Sequence, residues 1–96
     1  MGHRGKRASK RCIVEAPITG TYHESAVPDA QPFVRVGEDV RVGQTVAIIE
    51  AMKVFNEIKA EQGGRVVELP SKSGELVRAG DPLVVLEVPA SESEPG

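Results

Sequence analysis

The feature that most constrains the fold is an internal duplication of the sequence. A fourteen-residue stretch beginning at Gly37 matches one beginning at Gly74, with an offset of 37 and six identical positions. Upstream, residues 12–16 match residues 56–60 with an offset of 44, and a glycine follows four positions later in both copies. Because a repeat fixes the architecture before local patterns do, two copies in 96 residues predict one domain with internal pseudo-two-fold symmetry.

The duplication also decides between helix and strand. Taken alone, residues 45–62 have apolar side chains at roughly helical spacing. Their first part, residues 46–50, aligns however with residues 83–87, a β-branched run bounded by prolines, which is typical of a strand. Ten glycines and seven prolines suit short strands joined by tight turns. We therefore predict an all-β fold, a flattened barrel or sandwich of two small antiparallel sheets.

We expect eight strands in two matching sets of four. They are predicted at residues 12–16, 18–22, 38–42, 45–50, 56–60, 64–69, 75–78 and 83–88. Aromatic residues make up only 3% of the chain, so the core must be built from smaller aliphatic side chains. Alternation along the strands predicts these core residues: Val14, Val46, Ile48, Ile58, Val66, Val84 and Leu86.

Between two of these strands, residues 51–55 are predicted to form a turn with unusual residues. Tight hairpins favour Asn, Asp or Gly where φ must be positive, whereas this turn offers Ala51, Met52 and Lys53. A local rule broken without structural gain tends to mark a functional site. The pseudo-two-fold axis would relate this turn to the chain ends and place Lys53 far from both.

Charge and composition divide the chain into three parts. Residues 1–11 contain five basic residues and are predicted to be a disordered tail, and residues 89–96 a second one. The domain at residues 12–88 has seven basic and twelve acidic residues, a net charge of −5. Between its paired glycines the first copy is seven residues longer than the second, which predicts an inserted loop at about residues 23–32.

Several classes of function lack support in the sequence. The single cysteine, Cys12, excludes an internal disulfide, and it fits a small core residue better than a nucleophile. No set of potential ligands has the spacing of a metal site, and no acid–base pair or nucleophile constellation appears, so we expect no catalytic residue. The N-terminal segment lacks the apolar centre of a signal peptide, and no apolar run is long enough to span a bilayer.

The turn and its surroundings resemble the signature of the biotinyl-domain family. Glu-Ala-Met-Lys at residues 50–53 is followed by an apolar pair and then by Asn56, and the resemblance covers roughly residues 12–88. It is nearest to the biotin carboxyl carrier proteins of bacterial and plastid-type acetyl-CoA carboxylases. Residues 16–22 resemble their entry motif, and the inserted loop resembles their protruding thumb, for which we take Ser25, Ala26, Val27, Pro28, Asp29 and Ala30. Val54 differs from the methionine common in the family.

The resemblance implies a carrier without catalytic residues of its own. A biotin protein ligase would attach biotin to Lys53 as an amide, with Ala51, Met52 and Val54 as the recognition residues. The biotin would shuttle carboxylate from a biotin carboxylase subunit to a carboxyltransferase subunit, converting acetyl-CoA to malonyl-CoA in fatty-acid synthesis. We expect a cytoplasmic location, a monomeric isolated domain, and neither nucleic acid nor membrane as a partner.

Three alternatives stay open on the sequence. A lipoyl carrier domain would use the same fold and a lysine at the same turn, although that family has Asp-Lys-Ala there. A carrier for another biotin-dependent carboxylase or decarboxylase would keep the biotin and change the acceptor. An interaction module or small nucleic-acid binder would use the basic tail, and its binding would depend on salt, survive Lys53→Arg and vanish on deletion of residues 1–11.

Overall fold

The computed structural model describes residues 9–89, and the described chain contains strands and turns but no helix. The all-β prediction is therefore confirmed. Among the described residues there is accordingly no helix with the length and apolarity to cross a membrane. The strands are β1 (Ser9–Glu15), β2 (Gly20–His23), β3 (Asp39–Val40), β4 (Thr45–Ala51), β5 (Val54–Lys59), β6 (Gly64–Glu68), β7 (Leu76–Val77) and β8 (Pro82–Pro89).

The strands form two four-stranded antiparallel sheets that repeat one topology. The first sheet has the order β1-β8-β6-β3 and the second the order β5-β4-β2-β7. Exchanging the two halves of the sequence, so that β1 becomes β5 and β4 becomes β8, converts one order into the other. The predicted pseudo-two-fold symmetry is thus present in the pairing of the strands. It maps the hairpin of β4 and β5 onto the β8–β1 pair, where Ser9 lies opposite Pro89.

The symmetry extends to individual hydrogen bonds in the turns. The amide of Gly43 donates to the carbonyl of Ala60 at 2.8 Å, and the amide of Gly80 donates to the carbonyl of Ala16 at the same distance. Gly43 and Gly80 both have positive φ, 87° and 94°, a conformation that glycine adopts without steric cost. The duplicated sequence therefore repeats turn geometry as well as strand order.

Both predicted boundaries of the domain need correction. β1 begins at Ser9, because Ser9, Lys10 and Arg11 extend the ladder with residues 87–89 by backbone pairing that needs no apolar side chain. Residues 9–11 and Pro89 therefore belong to strands and not to the predicted tails. The rest of those tails, residues 1–8 and 90–96, lies outside the described residues.

The core lies between the sheets, and the alternation predicted for β4 is wrong at Ile48. Five of the seven predicted core residues are buried, whereas Val14 and Ile48 are only half-buried. Strand β4 shifts register against β5 between Thr45 and Ala47, so that one extra residue is accommodated there. From Ala47 onward the inward positions are odd-numbered, and Ile49 takes the core position with no exposed surface. Ile48 faces outward from the second sheet.

This register makes a direct prediction about stability. Ile49→Ala should lower the free energy of unfolding by about 3 kcal/mol or more, because it removes buried methyl groups and leaves a cavity. Ile48→Ala, the matched control one position earlier, should cost about 1 kcal/mol because its side chain is partly in water. Urea unfolding of both variants provides the measurement. Equal losses would contradict the shifted register.

Candidate functional site

The site begins with a two-residue turn at the end of the hairpin of β4 and β5. Ala51 pairs with Val54, which leaves only Met52 and Lys53 in the turn, two residues instead of the predicted five. Both have positive φ, 54° and 66°, as a type I′ turn requires. A left-handed conformation costs a residue with a Cβ roughly 1–2 kcal/mol, so the fold holds two unfavourable residues at this point.

The turn is rigid at its base and exposed at its end. The side-chain amide of Asn56 donates to the carbonyls of Ile49 and Val54, at 3.2 and 3.3 Å, and so ties the two strands together just below the turn. Met52 is 95% exposed, and Val54 is 57% exposed beside it. An apolar side chain left in water at a strained turn has no role in the core, which is consistent with recognition by another protein.

Lys53 is distinguished from the other described lysines by its backbone. Lys59 is the last residue of β5, and its ammonium group lies 3.9 Å from Glu57. Lys72 lies in a connection, and Lys10 lies in β1. Among the described residues, positive φ outside glycine occurs only at Asp29, Met52 and Lys53. Lys53 is therefore the one described lysine that a strained hairpin turn presents to solvent.

The strain in the turn predicts a stabilising substitution. Asparagine tolerates the left-handed region better than methionine does, so Met52→Asn should raise the free energy of unfolding by about 0.5–1 kcal/mol. Urea unfolding of this variant beside Lys72→Asn, a change outside any positive-φ position, would isolate the effect of the turn. A loss of stability in Met52→Asn would mean that the methionine contributes contacts that its exposure does not reveal.

The inserted loop, which we call the thumb, shares a groove with the two strands that carry this turn. The amide of Phe33 donates to the carbonyl of Glu24 at 2.8 Å and closes the base of the loop, and Val34 is buried immediately after it. At the end of the thumb, the amide of Ala30 donates to the carbonyl of Val27, with Pro28 second and Asp29 third in the turn. Asp29 has a φ of 67°, as the third residue of a type II turn does.

A groove of about 490 Å³ separates the thumb from the outer face of the second sheet. Residues 25–28 form one wall, and Ile48, Glu50 and Phe55 belong to the other, with His23 also in the lining. The volume lies in the range of small-molecule sites. Phe55 pairs with Glu50, so this wall begins two to three residues from Lys53.

A hydrogen-bonded pair forms the polar part of the groove. Nε2 of His23 lies 3.0 Å from Oε1 of Glu50, and both side chains are about one-third exposed. The ring of Phe55 lies against His23, with centroids 6.1 Å apart. Beneath them Tyr22 is buried, and that burial, followed by the charge of Glu24, raises the pKa of its phenol above the usual value.

The structure thus brings the predicted recognition residues together and adds others. Met52 and Lys53 form the turn, Ala51 and Val54 pair at its base, and residues 25–28 of the thumb line the neighbouring groove. Asp29 and Ala30 lie at the end of the thumb and do not line it. The groove is also lined by residues that were not predicted from the sequence, among them His23, Ile48, Glu50 and Phe55. Had Ile48 been assigned to the outer face of the second sheet, that wall of the groove would have been predicted. The register shift in β4 prevented this assignment.

The sequence of the chain matches known proteins over most of its length. A sequence profile described as "Biotin-requiring enzyme" matches residues 13–86. A biotin carboxyl carrier protein of acetyl-CoA carboxylase from Pyropia yezoensis is 43% identical over 74 residues, 77% of this chain and 47% of that protein. A chloroplastic protein with the same description from Arabidopsis thaliana is 45% identical over 73 residues, 76% of this chain and 29% of that protein.

A solved structure supports the same fold assignment. The crystal structure of Kluyveromyces lactis urea carboxylase matches with a TM-score of 0.66 and 31% sequence identity, over 80% of this chain and 6% of that one. The chain therefore spans less than half the length of these two relatives and a small part of a large carboxylase.

Proposed function

The chain belongs to the biotin-requiring enzyme family, and on that basis we propose that a biotin protein ligase joins biotin to the Nζ atom of Lys53 as an amide. The observation that carries this assignment is the exposed turn of Met52 and Lys53, both with positive φ. A rigid hairpin gives one lysine a reproducible direction, while the long acylated side chain stays free to move. The biotin supplies the nitrogen that carries the carboxylate, and the chain supplies its attachment and position.

The carrier role follows from that attachment. We propose that the biotinylated side chain of Lys53, the arm, moves carboxylate from a biotin carboxylase subunit to a carboxyltransferase subunit. The carboxyltransferase passes it to acetyl-CoA to form malonyl-CoA. The names of the carrier-protein relatives support this acceptor. Tethering replaces a bimolecular encounter with one at an effective concentration of about millimolar, so the domain contributes by positioning and not by catalysis.

A second acceptor is supported by one observation. One of the matching solved structures is a urea carboxylase, so the same domain fold also occurs in an enzyme with a different substrate. Purified biotinylated domain, a biotin carboxylase subunit, ATP and ¹³C-bicarbonate should produce ¹³C-labelled domain. The labelled domain is then given to a carboxyltransferase for acetyl-CoA and, separately, to one for urea. Transfer of the label to acetyl-CoA but not to urea would support the first acceptor, and transfer to urea but not to acetyl-CoA would support the second.

The residues beside Lys53 are proposed to be the recognition surface for the ligase. Met52 and Val54 are exposed on either side of the lysine, and Ala51 closes the last strand pair. The lipoyl alternative can be tested on the same surface. Biotin ligase and lipoyl ligase should be given equal amounts of the domain, and the mass of the product measured. We expect biotin transfer only, and lipoyl transfer alone would overturn the proposal.

The thumb is proposed to cover the biotin ring while the arm is idle. The groove between the thumb and the second sheet is lined partly by apolar side chains, and it includes Glu50 and Phe55, three and two residues from Lys53. The family resemblance implies the same role for this loop.

A cytoplasmic location and a monomeric isolated domain stay predictions, and light scattering on the purified domain tests the second.

A further inference from the structure

We propose that the groove beneath the thumb distinguishes the two states of the arm: it holds the neutral ring and excludes the ring that bears the carboxylate. Glu50 is the discriminating residue. This inference rests on the proposed function, because it requires biotin on Lys53. It goes beyond that function by assigning a role to the groove in the exchange between idle and loaded arms.

The arm can reach the groove. Glu50 lies three residues before Lys53, and Phe55 lies two residues after it. Since a strand rises about 3.3 Å per residue, this part of the wall lies within about 10 Å of Lys53 along the hairpin. A lysine side chain extended by the acyl chain of biotin exceeds that length, so the ring can fold back onto the wall.

The polar groups that line the groove offer several acceptors, beside the hydroxyl of Ser73, which accepts from the amide of Glu24 at 2.9 Å. In the neutral tautomer in which Nε2 of His23 donates to Oε1 of Glu50, Nδ1 of the ring is left as an acceptor. Oε2 of Glu50 receives no hydrogen bond from the described residues. The hydroxyl of Ser25 donates to the carbonyl of Val27 at 3.0 Å, so its lone pairs also accept. A cyclic urea with two N–H donors complements this arrangement.

Loading the arm removes that complementarity in two ways. A ureido nitrogen forms a bond to the carbon derived from bicarbonate and loses its proton, and the bicarbonate oxygen leaves as phosphate from ATP. One donor disappears, and a negative charge is added. Glu50 is the one carboxylate among the described residues that line the groove. Like charges repel more strongly where apolar side chains displace water, and Ile48 and Phe55 flank Glu50 on this wall. We therefore expect the docked fraction to fall about tenfold on loading.

The pseudo-two-fold symmetry supplies a matched control. Glu87 is the counterpart of Glu50 in the first sheet and accepts a hydrogen bond from the hydroxyl of Ser9 at 3.2 Å. Glu87→Gln therefore removes the same charge from an equivalent strand position away from the thumb. Glu50→Gln removes the charge in the groove with little change of shape. Ile48→Glu adds a charge to the same wall at an outward-facing position.

The test is NMR of the ¹⁵N-labelled domain in three states: unmodified, biotinylated, and loaded with ¹³C-bicarbonate by a biotin carboxylase and ATP. The ¹³C signal reports the loaded fraction. We expect biotinylation to shift the amide signals of Ser25, Val27 and Phe55, and loading to return them toward the unmodified values. Glu87→Gln should behave like the wild type, Glu50→Gln should stay docked in both states, and Ile48→Glu should stay undocked in both.

Failure of the inference differs from failure of the proposed function. No biotin in the intact mass would remove the carrier assignment itself. Biotin on Lys53 with no shifts at the groove, or with shifts that persist on loading of the wild type, would overturn the inference and leave the carrier role intact. Release on loading in Glu50→Gln to the wild-type extent would overturn the role of Glu50.

Discussion

Alanine in place of Gly20 will lower the free energy of unfolding by about 3 kcal/mol or more, although the change adds only one methyl group. A Cβ at Gly20 would lie 2.5 Å from the carbonyl oxygen of Glu50 and 2.7 Å from Cγ2 of Ile49. The first of these atoms is backbone and cannot rotate away. The substitution therefore forces β2 away from β4 just where β4 approaches the turn of Lys53.

Thermal unfolding followed by circular dichroism provides the measurement. A loss of this size should lower the melting temperature by about 15 °C or more in a domain of this length. Gly64→Ala, the symmetry-related change, would bring a Cβ to 2.7 Å from the carbonyl oxygen of Glu87 and should be similarly damaging. Gly37→Ala meets no atom within 4 Å and should cost only about 1–2 kcal/mol for its positive φ. Three equal losses would contradict the close-approach explanation.

Exchanging Met52 and Lys53, so that the lysine comes first in the turn, will slow biotin transfer roughly 100-fold or more. The variant keeps the composition, the two-residue turn and the number of lysines. Because successive residues of the turn point in different directions, the amine moves away from the position that a ligase would find in the native turn. Initial rates of biotin transfer, followed by avidin blotting, would measure the loss.

Controls separate position from stability in that experiment. The exchanged variant should unfold at nearly the same urea concentration as the wild type, since both turn residues retain a Cβ at positive φ. Replacement of Lys59 and Lys72 together by arginine should leave the rate unchanged. Biotin transfer at the wild-type rate in the exchanged variant would mean that the ligase reads the exposure of a lysine and not its place in the turn.

The duplication predicted most of the fold. Strand type, strand number and the pseudo-two-fold axis follow from two matched segments, because one repeat must form the same structure twice. The same duplication resolved the apparent helix at residues 45–62, where local spacing alone was misleading. Lys53 was singled out because its turn lacks Gly and Asn, and in the structure both turn residues have the positive φ that Gly and Asn favour.

Alternation failed where a backbone irregularity intervened. Ile48 was assigned to the core by counting every second residue from Val46, but the register shift between Thr45 and Ala47 moves the inward positions by one. No characteristic residue type marks the bulge in this strand, so the alternation of apolar and polar residues could not reveal it. The error also hid the outer wall of the groove, which Ile48 shares with Glu50 and Phe55.

The ends of the domain were misjudged for a different reason. Ser9, Lys10 and Arg11 are polar, and their basic neighbours suggested a tail, yet a strand at the edge of a sheet needs only backbone partners. The place of His23 in the groove could likewise not be predicted from local sequence pattern. It matters because β2 places it diagonally opposite Glu50, a relation that depends on the register between two strands distant in sequence.

The measurement that tests the central claim most directly is tryptic peptide mapping after reaction with a biotin protein ligase, biotin and ATP. Trypsin does not cleave after an acylated lysine, so biotin on Lys53 should convert the peptide of residues 42–53 into one of residues 42–59 that carries a single biotin. Lys53→Arg should carry none. Biotin on Lys59 or Lys72, or an unmodified wild-type chain, would contradict the assignment of Lys53 as the carrier lysine.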